Sequence, residues 1–307
     1  MRISDVHQNL LDENPARFVE KVIRDYVASS PDNRLQAFDG QPIFGEPLVG
    51  FADADDPIFT EYKKIIGDFH WTPREAMIMH LREHHPGKET DAESLSVISW
   101  VMPIHSQTLR SMHGETAVPT LQWNHTRWRG QGLIDALARH LVSLLEELGH
   151  RAVAPDLTSG FQMIDCANGL ASNWSQRHMA YAAGLGTFGL SDGLITQKGK
   201  AIRCGSVVAD LALPPSARVY EHEHANCLFY QGASCTTCAK RCPADAISEN
   251  GHDKKRCLQY LLVDQRTLLK ELGREAGYIG DYLGCGLCQT RVPCEHGIPK
   301  PGSGADA

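Results

Sequence analysis

Between Cys227 and Cys294 the chain gathers eight of its ten cysteines. Cys235-Thr-Thr-Cys238-Ala-Lys-Arg-Cys242-Pro243 reads C-x2-C-x3-C-P, and Cys285-Gly-Leu-Cys288, followed by Cys294, repeats the close pair. Thiolates are soft ligands for iron. A two-residue spacer lets one loop offer two of them side by side, and a proline after the last cysteine turns the chain away. The spacing therefore points to iron-sulfur chemistry. Two C-x2-C pairs would also suit a tetrahedral zinc, but zinc would use four thiolates and leave Cys227, Cys242-Pro243, Cys257 and Cys294 without a purpose. Disulfides would need an oxidising compartment, and the N-terminus carries no secretory pattern.

The rest of the chain must position this stretch. Its 307 residues suggest about two domains, and an apolar fraction of 42% is ample for a buried core. No apolar run approaches the roughly 18 residues of a membrane span, and neither a twin-arginine pair nor an apolar signal core opens the chain. A cytoplasmic protein without a membrane partner is the expectation. The formal charge of -7 argues against a broad nucleic-acid surface. Lys254-Lys255-Arg256 is a local basic patch that reads as a solvated helix start.

Asn14-Pro15 supplies a helix cap and first position, and Phe18, Val19, Val22, Ile23, Tyr26 and Val27 follow at helical spacing. Leu48 to Ala52 reads as a short strand. Asp56-Pro57 opens a helix through Phe59, Tyr62, Ile65 and Ile66, and Thr72-Pro73-Arg74-Glu75 is a capping box before another. Residues His84 to Glu93 lack an apolar period and read as a loop. Leu95 to Val101, stopping at Pro103, reads as a buried strand, and the segment after it as irregular. Leu133 to Leu148 is a long amphipathic helix closed by Gly149, and Arg151 to Ala154 is a second strand. Strand, long helix and strand make an α/β unit. Residues 1–215 are thus expected to form an α/β domain, with a cluster module over 216–307.

Arg177 to Gly189 ends a helical pattern in three glycines, Gly184, Gly186 and Gly189. Glycine lets backbone approach a ligand or take positive φ. A dinucleotide fingerprint would follow a strand instead of a helix, so a tight helix-to-loop turn and a ligand site both remain open here.

The cysteine run resembles the bacterial two-cluster ferredoxins, in which the last cysteine of one half ligates the other cluster. That pattern implies two [4Fe-4S] clusters, one on Cys227, Cys235, Cys238 and Cys294 and one on Cys257, Cys285, Cys288 and Cys242. Gly232 stands where the first cysteine of the run is usual. Together with Ala182 to Gly189, Gly193-Leu-Ile-Thr196, Gly205-Ser-Val-Val208 and Asp210-Leu-Ala-Leu-Pro214, the module resembles epoxyqueuosine reductases and the catalytic region of corrinoid reductive dehalogenases, over residues 95–299. The resemblance implies a nitroreductase-like α/β domain that carries cobalamin beside a ferredoxin-like double-cluster module. Gly184, Leu185, Gly186, Thr187, Phe188, Gly189, Gly205 and Ser206 would lie along the corrin.

This chain has Ser175-Gln176-Arg177 where epoxyqueuosine reductases carry a Glu-Arg pair shortly after an aspartate. His178, Tyr181 and Asp165 become the candidate proton donors. Only a short segment follows Cys294, without a helical-repeat extension, and with the negative charge this argues against transfer RNA. The expectation is an oxidoreductase that takes single electrons from a flavodoxin or ferredoxin and uses cobalamin for reductive elimination or deoxygenation of a small molecule. The alternative is an electron-transfer protein whose clusters reduce a partner, for example a corrinoid protein. Cys166 and Cys204 read as small buried hydrophobes.

Overall fold

The computed structural model describes residues 5–84, 94–167 and 169–300. Helices α1 (Asp5–Glu13) and α2 (Pro15–Ser29) open it, and Asn14 Oδ1 caps α2 by accepting the Arg17 backbone N–H at 3.0 Å. A ribbon of β1 (Arg34–Leu35) and β2 (Gln41–Pro42) leads to β3 (Leu48–Asp53), α3 (Ile58–Ile66) and α4 (Pro73–His84). The capping box before α4 forms in both directions. Thr72 N–H donates to Glu75 Oε2 at 2.8 Å, and Glu75 N–H donates to Thr72 Oγ1 at 3.2 Å. Beyond His84, the loop read over 84–93 lies outside the described residues. Next come β4 (Ser96–Pro103), α5 (Ser106–Ser111), α6 (Leu121–Glu147) and β5 (Ala152–Val153). The ribbon of β6 (Met163–Cys166) and β7 (Gly169–Ser172), then α7 (Gln176–Ala182), the ribbon of β8 (Gly186–Phe188) and β9 (Leu194–Thr196), and β10 (Ile202–Ala209) follow.

The main sheet has the order β3-β4-β10-β5, with every neighbouring pair antiparallel. Strands β4 and β5 therefore run parallel and are joined across α6, as the strand-helix-strand pattern predicts. Strand β10 is slotted between them, with Gly205 opposite Trp100. Both faces of the sheet are covered, which is why β4 is apolar without alternation. Ile98, Trp100 and Met102 pack with Phe18, Val19 and Ile23 of α2 and Leu133, Ile134, Leu137 and Leu141 of α6. On the other face Val97, Val153 and Val208 pack with Phe59, Tyr62, Met77 and Leu81 of α3 and α4. The fold class is the expected α/β body followed by a cysteine-rich module.

Helix α6 begins at Leu121, not at Leu133, so part of the segment read as irregular is helical. Thr120 Oγ1 caps it by accepting the Trp123 N–H at 3.1 Å. Its first half, Trp123 to Arg129, shows no aliphatic stripe because it faces the module instead of the sheet core. Asn124 Nδ2 donates to the carbonyls of Ile279 and Leu283, each at 3.1 Å, and Asn124 Oδ1 accepts the Ile279 N–H at 2.8 Å. Trp128 Nε1 donates to the Tyr282 carbonyl at 2.9 Å. The module holds only short elements, namely α8 (Thr237–Lys240), β11 (Ile247–Ser248), β12 (Gly251–His252), α9 (Lys254–Gln259) and α10 (Gln265–Glu271). Asp253 caps α9 by accepting the Arg256 N–H at 3.0 Å, so the basic triplet is the helix start it resembles.

Candidate iron-sulfur centre

The chain from β8 to β10 makes a bed on which the cysteine loops lie. Asn226 N–H donates to Thr187 Oγ1 and Asn226 Nδ2 to the Ile195 carbonyl, both at 2.9 Å, which seats Cys227 against the β8–β9 ribbon. At the other end of the module the Lys200 N–H donates to the Cys294 carbonyl at 2.8 Å. Cys235 and Cys238 arrive on the start of α8. The result is a cavity lined by Cys227, Cys235, Cys238 and Cys294, closed by Leu190, Ile195 and Val292 and by the side chain of Lys200. Residues distant in sequence, Cys227 and Cys294, thus join the C-x2-C pair.

The other four cysteines form a neighbouring group. The Cys285 thiol is held above its ordinary range by burial and then by the charges of Cys288, Cys257 and Cys242. Burial pushes the Cys257 thiol up to about 12, with Cys288 and Cys242 adding to it. In the first group burial raises Cys238 and Cys294 to about 11 each. Thiols so raised are protonated at neutral pH without a metal, so loading must release protons and is coupled to folding. Cys288 lies between the groups, since its charge also acts on Cys238. Among the described residues no three His, Cys, Asp or Glu converge at the distance of a single metal ion. A cavity ringed by four thiols suits a cluster with volume of its own, whose iron corners each take one thiolate.

The glycines serve this bed. Gly189 lines the cysteine cavity. A Cβ on Gly184 would stand 2.7 Å from the Ala217 carbonyl oxygen, one on Gly186 2.5 Å from that of Ile195, and one on Gly205 2.5 Å from the Trp100 ring. Leu185, Thr187 and Ser206 are buried. Ser206 Oγ donates to Gln176 Oε1 at 2.6 Å and accepts from Trp174 Nε1 at 3.1 Å. At Gly184, Gly186 and Gly205 the space that a side chain would take is occupied by other atoms of the chain; Phe188 is half-buried, with its ring 5.6 Å from that of Tyr181 and tilted by 42° to it. Two basic side chains, Arg203 of β10 and Arg127 of α6, come near each other beside this stretch. Arg203 is half-buried and its pKa is pushed down to about 9 by lost hydration and by Arg127. Arg127 donates to the Tyr282 hydroxyl, while its Nη1 is buried without a partner among the described residues. Cys204 is half-buried beside them and pushed up to about 12 by burial.

Of the three candidate proton donors, His178 and Tyr181 flank the same ring, that of Phe188. His178 sits in an aromatic box, with ring centroids 4.8 Å from Tyr62 and 4.9 Å from Phe188, and its Nδ1 is 2.7 Å from Ser175 Oγ. Burial, then Arg177 and His70, lower its pKa to about 3, so it is neutral at pH 7. Tyr181 is half-buried, and burial raises its hydroxyl above the usual range. Asp165 is exposed on the β6–β7 ribbon, and Cys166 beside it is half-buried.

Sequence reading missed Asp156. Burial, against the help of Gln176, raises its carboxyl from 3.8 to about 6. Its place after Pro155 at the end of β5 was the available signal, since strand ends carry polar function in α/β folds. The folded chain holds this proton more tightly than the unfolded chain, so the stabilising contribution is complete below pH 3.8 and lost as pH rises to about 6. Asp156→Asn is expected to stabilise the protein at pH 7 by up to about 3 kcal/mol. Urea unfolding at pH 7 and pH 4 checks this, with the gain vanishing at the lower pH.

Known proteins bear on this geometry. Residues 232–295 match the family described as 4Fe-4S double cluster binding domain. The chain is 28% identical over 126 residues to an epoxyqueuosine reductase of Bacillus anthracis, covering 40% of this chain and 30% of that protein. It is 31% identical over 121 residues to one of Aliivibrio fischeri, covering 38% and 30%. The aligned stretch thus spans under a third of these relatives. Among solved structures, an epoxyqueuosine reductase from Bacillus subtilis matches with a TM-score of 0.45 at 16% identity, over 94% of this chain and 68% of that one. A catabolic reductive dehalogenase matches with a TM-score of 0.43 at 16% identity, over 66% and 26%. The expectation drawn against transfer RNA is corrected by these comparisons. The curated relatives are epoxyqueuosine reductases, and another similar solved chain is an epoxyqueuosine reductase with an epoxyqueuosine-modified tRNA-Tyr stem loop, matched with a TM-score of 0.43 at 17% identity over 95% and 69%. Among the described residues no helix is long and apolar enough to cross a membrane. With its eight cysteines in two adjoining groups, the chain carries a 4Fe-4S double cluster binding domain and is similar over part of its length to epoxyqueuosine reductases.

Proposed function

We propose that this chain is an iron-sulfur oxidoreductase of the epoxyqueuosine reductase type. One [4Fe-4S] cluster is held by Cys227, Cys235, Cys238 and Cys294, and a second by Cys242, Cys257, Cys285 and Cys288. The observation that carries this reading is the cavity in which four cysteines from three separate segments meet. Two adjoining clusters suit a reaction that needs two electrons supplied one at a time. Removing the oxygen of an epoxide consumes two electrons and two protons and releases water. Of the three candidate donors, Tyr181 is the first to replace. Its hydroxyl keeps its proton at neutral pH and is half-buried, whereas His178 is neutral inside its box. His178 and Asp165 are the next.

Cobalamin is the finer part of the proposal and rests on the resemblance. It would supply a strongly reducing cobalt centre when bound. By that resemblance Gly184 to Gly189, Gly205 and Ser206 would lie along it, and Arg127, whose buried Nη1 has no partner among the described residues, is a further side chain with capacity to hold it. The test is anaerobic purification, reconstitution with iron and sulfide, addition of cobalamin, removal of excess, and turnover of an epoxyqueuosine-bearing tRNA stem loop. About eight irons per chain, retained cobalt and formation of the deoxygenated product are expected. About eight irons without cobalt or turnover would replace the enzyme by an electron relay to a partner, and the filled glycine positions are the observation that favours that reading.

A further inference from the structure

We infer that Lys200 is a fixed cation that raises the reduction potential of the cluster on Cys227, Cys235, Cys238 and Cys294. The inference rests on the proposed ligand set. Lys200 is only 3% exposed, an unusual place for an ammonium, and its side chain lines the same cavity as those four cysteines. Lysine is almost never fully buried without a charged partner. Among the described ion pairs no carboxylate serves it, and the buried Glu295 pairs with His113 at 2.9 Å and with His296 at 3.6 Å. The ionisable side chains that share the cavity with Lys200 are those of Cys227, Cys235, Cys238 and Cys294.

Three features fix the backbone and stem that carry the ammonium. The Lys200 N–H is held by the Cys294 carbonyl at 2.8 Å. Its stem runs over Gly193, where a Cβ would stand 2.4 Å from Lys200 Cε. Gly193 in turn closes the β8–β9 ribbon through the Gly189 N–H to Gly193 carbonyl bond of 2.8 Å. A cation with so little freedom and so little water acts on a cluster at low dielectric. Reduction adds one negative charge to the cluster, and a neighbouring positive charge favours that state. The effect is on the ease of reduction, and no proton or bond changes hands.

The experiment is a mediated redox titration of the reconstituted full-length protein, followed by electron paramagnetic resonance, for wild type, Lys200→Met and Lys200→Arg. Iron and sulfide are measured on the same samples. Lys200→Met keeps the stem and removes the charge. It is expected to lower one of the two cluster potentials by at least tenfold in the reduction equilibrium constant, or 59 mV for one electron, with the other moving less. Lys200→Arg should stay near wild type. Full cluster content with both potentials unchanged in Lys200→Met overturns the inference while leaving the ligand set intact. Loss of the cluster in Lys200→Met but not in Lys200→Arg supports a need for the charge, and equal loss in both overturns it in favour of side-chain shape. Wild-type protein that binds no cluster at these cysteines removes ligand set and inference together.

Discussion

Replacing Cys238 by serine is expected to remove about four of about eight irons, with the matching sulfide, and to leave one reducible cluster signal. A serine hydroxyl is a hard and weakly acidic ligand, and the cavity offers no other thiol to the vacated corner. Cys294→Ser should give the same loss although it lies far along the chain, because both residues line one cavity. Cys242→Ser should remove the other cluster even though Cys242 follows Cys238 closely in sequence. The double variants decide the wiring. Cys238→Ser with Cys294→Ser should lose no more iron than either alone, whereas Cys238→Ser with Cys242→Ser should lose nearly all of it, the pattern expected of residues that act as one unit or as two. If Cys294→Ser and Cys242→Ser depleted the same cluster, the proposed division of the cysteines would be wrong. Because a cluster that binds only the folded chain stabilises it, each single variant should also unfold at a lower temperature than the loaded wild type.

The cysteine chemistry was legible because its signal is local. Thiolate pairs at a two-residue spacing and the Cys-Pro stop survive in any sequence that makes such a loop. Periodicity likewise recovered α2, α3 and the second half of α6, whose apolar stripes face the sheet core. The first half of α6 escaped for the complementary reason. Asn124 and Trp128 face a partner surface made of backbone carbonyls, so polar and aromatic side chains replace the aliphatic stripe. Strand β10 was not recognised as the inner strand of the sheet, since Arg203, Cys204, Gly205 and Ser206 interrupt it after Ile202 and its apolar run is short. The glycine stretch left a tight turn and a ligand site both open, and in the structure the chain's own atoms come close at Gly184, Gly186 and Gly205, a packing that sequence has no means to foresee. Lys200 gave no sign at all. A lysine between a glycine and an alanine ordinarily points to water, and only the arrival of Cys294 from far along the chain buries it.

That arrival depends on one glycine, and Gly199→Ala is expected to be among the most damaging single methyl additions in the protein. Gly199 has φ +89°, a conformation that costs an L side chain roughly 1–2 kcal/mol. Its missing Cβ would stand 2.0 Å from the Glu295 carbonyl oxygen, 2.5 Å from the Glu295 carbonyl carbon and 2.7 Å from the His296 nitrogen. Those neighbours are backbone and cannot rotate away, so the Cys294 segment must lift off the β9–β10 turn. Lifting it breaks the hydrogen bond between the Lys200 N–H and the Cys294 carbonyl and strains the one between Thr196 Oγ1 and the Gly199 carbonyl, 2.8 Å each. Strain and lost contact together should cost about 3–5 kcal/mol. Gly232→Ala separates the two contributions, because Gly232 has φ +82° but nothing within 4 Å of its Cβ position. That variant should lose only the backbone penalty and keep both clusters. Gly199→Ala should unfold several degrees lower still and lose the cluster served by Cys294 while keeping the other. Equal unfolding temperatures and equal iron in the two variants would show that the turn does not hold Cys294 in place, and the fixed seat assigned to Lys200 would fall with it.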